Sequence, residues 1–175
     1  ERDRLSMDLF LADAVTGVAT RKVLSTAADP HFDSLQYIQS AGAWDAQGRR
    51  FAMTAVSNGT ASLLLLDAAG DERAVEIQMP QLGEAFNPSW SPDGSRIVFS
   101  ALKGGLSDLF IYTLATGAVE PLTADAFADL QPAWSPDGKS IALATDRFSS
   151  AASTLDFGAL RIGILDLEKI GRAHV

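Results

Sequence analysis

The chain contains no cysteine, which excludes disulfides and thiolate metal sites but leaves its redox compartment undecided. No apolar run approaches the roughly 18 residues that a membrane-spanning helix needs, and the leucine run 63–66 is only strand-sized. No membrane span is therefore expected. Clustered basic residues are also missing: Lys and Arg are scattered singly or in pairs such as Arg21-Lys22 and Arg49-Arg50, and the formal net charge is −8. Without a basic stripe to neutralise phosphates, a nucleic-acid partner is not expected. Helical patterning is lacking as well, because no segment of ten or more residues sustains an i, i+3, i+4 apolar pattern with caps. The signatures of common chemistries are absent too. There is no Gly-x-Ser-x-Gly elbow, no His-Glu-x-x-His, no phosphate loop and no dinucleotide fingerprint. The acidic residues form no obvious catalytic pair. No catalytic, cofactor-binding or metal-binding residue is assigned on this reading, and no cofactor is expected.

What is present is a repeat. Trp90-Ser91-Pro92-Asp93-Gly94 recurs as Trp134-Ser135-Pro136-Asp137-Gly138, and a degenerate copy runs Trp44-Asp45-Ala46-Gln47-Gly48. The tryptophans are 46 and 44 residues apart, and the chain has no others. A fixed period of this size marks a stacked or radial repeat architecture. Phe51, Ile97 and Ile141 follow their tryptophans by seven residues, and Met53, Phe99 and Leu143 by nine. A spacing of two places both side chains on one face of a strand. Pro presets φ at the turn, Asp bonds nearby backbone groups and Gly accepts positive φ. Each copy thus reads as a Trp anchor, a turn and a buried strand. Gly42, Pro88 and Pro132 stand two residues before each Trp, so each copy reads as entered through a breaker.

Strands are expected at 7–12, 18–24, 51–56, 61–66, 73–78, 96–101, 108–114, 118–123, 140–145 and 160–166. Asn58-Gly59 is the preferred type I′ hairpin dipeptide, which explains Asn58-Gly59-Thr60 better than a glycosylation acceptor does. Asp8-Leu9-Phe10-Leu11 is nearly repeated 100 residues later as Asp108-Leu109-Phe110-Ile111. Short strands with Gly, Pro and Asn-Gly punctuation indicate an all-β protein, and three or four strands per period match one propeller blade. The strands at 63–66 and 97–99 lack polar alternation, as expected of a blade packed by neighbours on both faces. Apolar residues make up 47% of the 175 and charged residues 21%, which suits one globular domain.

Two stretches resemble a known family: Leu122-Thr123 through Asp129, Pro132-Ala133-Trp134-Ser135-Pro136-Asp137-Gly138 and Thr145-Asp146-Arg147, and Asn87-Pro88 through Asp108-Leu109-Phe110-Ile111-Tyr112. The pattern resembles the TolB-like β-propeller repeat, with WD-repeat-like blades, over about residues 7–166. The resemblance implies about three and a half four-stranded blades in an open arc. A closed ring of this type needs more, so the chain is expected to be a propeller fragment that meets the remaining blades of a parent. TolB-type propellers of the Tol–Pal envelope system are periplasmic and bind partner proteins without catalysis. The resemblance therefore implies a non-enzymatic interaction scaffold, periplasmic or otherwise extracytoplasmic, with protein partners. Similar blades cap prolyl-oligopeptidase-like serine peptidases, so a substrate-gating propeller of a larger peptidase is the alternative. A small-ligand or metal-binding propeller is a third reading.

The repeated turns build every blade, so they are expected to be structural, with the three Trp packed between blades and their N–H groups bonded. Specificity is expected where repeats differ, in 24–43 and 146–159. The connection from turn glycine to the next Trp takes 27 residues before Trp44, against 20 and 17 in later copies. It carries His31 beside Asp29 and Asp33 and reads as a solvated loop, one His being too few for a metal site; as an acid–base or metal group these residues would underlie that third reading. Asp146 and Arg147 open the second excursion, which reads as a surface hairpin in which the two could also pair or reach a partner. Residues 1–169 are read as partial propeller. Residues 170–175 match the translated start of a sequencing adapter and are read as a non-native tail. Because an open arc leaves terminal faces bare, the isolated chain is expected to self-associate.

Overall fold

The computed structural model describes residues 7–25, 32–35, 40–68, 70, 74–151, 153–154 and 156–170. His31 and residues 171–175 lie outside them. Four antiparallel sheets follow one another along the chain. The first pairs β1 (Asp8–Ala12) with β2 (Ala19–Ser25). The second has β5 (Arg50–Ser57), β6 (Thr60–Asp67) and β7 (Val75–Gln78), and its inner edge is shared by β3 (Phe32–Leu35) and β4 (Ala43–Trp44), both paired to β5. The third runs β8 (Ala85–Trp90), β9 (Arg96–Lys103), β10 (Leu106–Thr113) and β11 (Ala118–Pro121). The fourth contains β12 (Asp129–Trp134), β13 (Ser140–Thr145) and β14 (Arg161–Asp166), followed by a short helix, α1 (Leu167–Ile170). This is an all-β propeller fragment, an open arc of blades.

Both faces of the middle blades are covered, which accounts for the missing polar alternation. Along β9, Ile97, Phe99 and Ala101 pack towards the second sheet with Leu63, Met79 and Trp90. Val98, between them, packs towards the fourth sheet with Leu109, Ile141 and Leu143. A third layer, including Leu24, Met53, Leu64 and Leu66, joins the first two sheets. Fully burying a Leu, Ile or Phe contributes about 1.5–3 kcal/mol, against roughly 0.5–1.5 kcal/mol net for one hydrogen bond. The layers between blades therefore hold the arc, and the ladders set its register.

One element of each blade departs from the expectation. The residues before each Trp were read as connections entered through a breaker, but they are the inner strands β4, β8 and β12. Pro88 and Pro132 are tolerated because each lies in a β-bulge, where two residues oppose one. Asn87 and Pro88 stand between the pairs Phe86↔Ser100 and Ser89↔Val98, opposite Phe99 alone. Gln131 and Pro132 stand likewise opposite Leu143. Asn87 and Gln131 take positive φ, 51° and 50°, to make the bend. The Asn58-Gly59 turn has φ of 50° and 72°, as its type I′ reading requires.

The Trp-Ser-Pro-Asp-Gly turns are hydrogen-bonded as turn formers. Ser91 Oγ donates to Asp93 Oδ1 at 2.5 Å and accepts the Arg96 N–H at 2.9 Å, while the Ser95 N–H reaches Asp93 Oδ1 at 3.1 Å. Ser135, Asp137, Lys139 and Ser140 repeat the set. In the degenerate copy, Asp45 replaces the serine. Its Oδ1 accepts the N–H groups of Arg49 and Arg50, and its Oδ2 accepts from Arg50 Nε at 2.9 Å. One carboxylate there does the work of the Ser–Asp pair.

The expectation for the three tryptophans holds in full only for Trp90. It is buried, and its Nε1–H donates to the Ala43 carbonyl at 3.1 Å across the blade junction. Trp134 is half-buried, and its Nε1 has no hydrogen-bond partner among the described residues. Trp44 is 48% exposed, and among the described residues the sheet before it has two strands.

Candidate interaction face

The junction of the third and fourth sheets carries a cluster of charged side chains. Asp108 opens the inward run of β10, Asp129 begins β12, and Asp125 lies in the connection between β11 and β12. Carboxylate oxygens of these three residues lie within 4.8 Å of one another. Arg147, just beyond β13, bridges two of them, with Nη2 at 2.8 Å from Asp125 Oδ2 and 2.9 Å from Asp129 Oδ2. Its guanidinium also lies over the Phe127 ring at 5.4 Å. Asp108 accepts from Thr123 Oγ1 at 3.2 Å and from the Asp125 N–H at 3.3 Å, and Thr123 Oγ1 in turn takes the Leu109 N–H.

Burial, reinforced by the charges of Asp125 and Asp129, pushes the Asp108 carboxyl above the usual carboxylate range, against the pull of its two donors. Burial alone would lower the Arg147 guanidinium. The hydrogen bond to Asp125 and the two carboxylate charges outweigh it and raise it. Three carboxylates at this spacing have the chemistry to take a cation, and Arg147 already supplies one positive charge to two of them. Asp129 is fully buried, and its Oδ1 has no hydrogen-bond partner among the described residues. The cluster thus clasps the β11–β12 connection to the end of β13.

The excursion after β13 reads from the sequence as a surface hairpin in which Asp146 and Arg147 could pair with each other or reach a partner. Both turn to other residues of the chain instead. Arg147 makes the clasp, and buried Asp146 accepts the Ala128 N–H at 2.9 Å and the Ser150 hydroxyl at 2.6 Å. That hydroxyl, with the Ala128 N–H, holds the Asp146 carboxyl below its ordinary range despite burial. The loop presents large apolar groups to solvent: Phe148, Phe157 and Leu160 are exposed. Asp33 lies in β3, and His31 is outside the described residues. Asp108, Asp125 and Asp129 were not singled out from the sequence. The sequence signal for Asp129 was its place in the repeat-resembling stretch around Trp134, five residues before that tryptophan.

A family model described as "TolB beta propeller domain" matches residues 32–153. The chain belongs to the TolB β-propeller family. It is similar to the "Tol-Pal system protein TolB" of Bordetella pertussis, 31% identical over 110 residues that make up 63% of this chain and 24% of that protein. The chain thus spans about a quarter of the length of the curated relatives it matches. The crystal structure of TolB from Acinetobacter baumannii superposes on 91% of this chain and 35% of its own, with a TM-score of 0.65 and 23% identity. A puromycin hydrolase structure covers 89% of this chain and 25% of its own, with a TM-score of 0.56 and 17% identity. At these identities the two structures speak for the fold alone.

Proposed function

We propose that the chain is part of a non-enzymatic TolB-like propeller that serves as a protein-interaction scaffold in the bacterial cell envelope, periplasmic or otherwise extracytoplasmic. The observation that carries this reading is the exposed apolar loop after β13. Asp146 and Arg147 at its start are turned to other residues of the chain, while Phe148, Phe157 and Leu160 face solvent. Exposed aromatic residues around a buried polar anchor suit a protein partner, and the curated relatives are named as proteins of the Tol-Pal system. No helix among the described residues is long and apolar enough to cross a membrane.

The test is photo-cross-linking from a benzoylphenylalanine placed at position 148 or 157 in the full-length protein in its own cells. Cross-links to another Tol–Pal protein, absent when the probe sits at the exposed turn residue Thr116, support the reading. No cross-link from either position contradicts it. The alternative, a substrate-gating propeller of a larger serine peptidase, draws on the fold likeness to puromycin hydrolase. Labelling of the full-length protein by a fluorophosphonate probe would favour that alternative.

A further inference from the structure

The acidic cluster is not balanced by the charges that hold it. Asp108, Asp125 and Asp129 bring three carboxylates together, against the single guanidinium of Arg147. Arg147 reaches them through one nitrogen, Nη2, which donates to Asp125 Oδ2 at 2.8 Å and to Asp129 Oδ2 at 2.9 Å. Two of the other oxygens have donors of their own. Asp125 Oδ1 accepts the Phe127 N–H at 3.0 Å, and Asp108 Oδ1 accepts from Thr123 Oγ1 and the Asp125 N–H. Asp129 Oδ1 has none among the described residues, although its side chain is fully buried.

A buried carboxylate oxygen without a partner is costly, and a buried charge is more so. A water molecule would give Asp129 Oδ1 a hydrogen bond but would leave the charge unmet. With every group ionised, three negative charges face one positive charge. A divalent cation closes that balance with Arg147 still in place. The donors are all carboxylate oxygens, with no imidazole or thiolate in the set, so they suit a hard cation. Oxygens within 4.8 Å of one another can share an ion that stands about 2.3–2.6 Å from each, the calcium distance. Magnesium is less well served, because it keeps several waters and is usually bound through only one or two carboxylates.

We propose that Asp108, Asp125 and Asp129 hold a divalent cation, calcium in preference to magnesium. Asp129 Oδ1 is its buried ligand, Asp108 and Asp125 supply the others, and water or backbone carbonyls complete the shell. The ion ties β10 and β12 to the connection between β11 and β12, where the clasp of Arg147 already acts.

The test is hydrogen–deuterium exchange on the 175-residue chain, stripped with EDTA and returned to calcium chloride or to sodium chloride of equal ionic strength. A calcium site of the weaker, extracellular kind has a Kd of roughly 0.1–1 mM. At about 10 mM calcium the amides of β12 and of the β11–β12 connection should therefore gain about 10- to 100-fold protection. Those of β5 and β6 should not change. Asp108→Asn keeps the shape of the ligand without its charge and should lose most of the gain. Its protection in sodium chloride shows whether it has folded; if it has not, Asp125→Asn, at a half-exposed position, takes its place. No gain in the unaltered chain overturns the proposal. So does a gain that persists in the variant, one that spreads to β5 and β6, or one that magnesium matches.

Discussion

Replacing Arg147 by methionine keeps most of the side-chain volume and removes the charge that neutralises Asp129. The Asp129 side chain is fully buried, that of Arg147 is 33% exposed, and that of Asp125 is 36% exposed. Breaking a buried ion pair from one side costs about 3–5 kcal/mol, because the other charge is left without compensation. An exposed pair is worth at most about 1 kcal/mol. Arg147 is partly in water, so the loss is expected below the buried limit, at roughly 2–3 kcal/mol. This corresponds to about 30- to 150-fold in an opening equilibrium. Hydrogen–deuterium exchange reads it locally. Amides of β12 and β13 should lose protection by that factor at neutral pH, while those of β5 and β6 stay unchanged. The double variant Arg147→Met/Asp129→Asn should recover part of the loss, since a neutral amide no longer strands a charge. Wild-type protection in Arg147→Met would refute the reasoning, and so would a double variant no better than the single one.

Other perturbations follow from the same contacts. The Ser91 hydroxyl, the Ser95 N–H and the Ser95 hydroxyl hold the Asp93 carboxyl down to about 2. A depressed carboxyl contributes stability that is present above its unfolded value of about 4 and lost as pH falls towards the folded one. Asp93→Ala should therefore lower stability at neutral pH and flatten the acid limb of a tryptophan-fluorescence titration between about pH 4 and 2. Asp108 has a raised carboxyl, so keeping it charged costs stability above its folded value, and the cost fades as pH falls through that value. Asp108→Asn should slow exchange across β10, more at pH 7 than at pH 4; faster exchange at pH 7 would contradict the assignment. Phe99 is fully buried and stacks on Phe110 at 6.1 Å between centroids. Phe99→Ala should cost about 3–5 kcal/mol, seen as lost protection in the second and third sheets together.

The blade register was legible in the sequence because Trp-Ser-Pro-Asp-Gly is a local device. Its bonds run between residues at most five apart, so the residue types report the structure directly. The Asn58-Gly59 hairpin was legible for the same reason. The inner strands were not, because Pro88 and Pro132 read as breakers, and only the bulged pairing with β9 and β13 makes room for them. The acidic clasp was illegible because it joins side chains from 108 to 147, and the pairing of blades, rather than any spacing within one, brings them together. Asp146-Arg147 was noticed as a dipeptide, yet its partners, Ala128, Ser150, Asp125 and Asp129, depend on the turn that follows β13.

The bare faces of the arc give the most direct test. Ile162 and Ile164 pair with Ala144 and Ala142, as Leu109 and Ile111 pair with Ser100 and Val98 one blade earlier. Leu109 is fully buried by the fourth sheet, whereas Ile162 and Ile164 are 76% and 69% exposed. An apolar face of this kind wants a neighbouring blade. Sedimentation velocity on the isolated chain and on Ile162→Lys/Ile164→Lys should show the wild type self-associating and the variant shifted towards monomer. A wild-type chain that sediments as a single monomer and melts cooperatively would contradict the open-arc account.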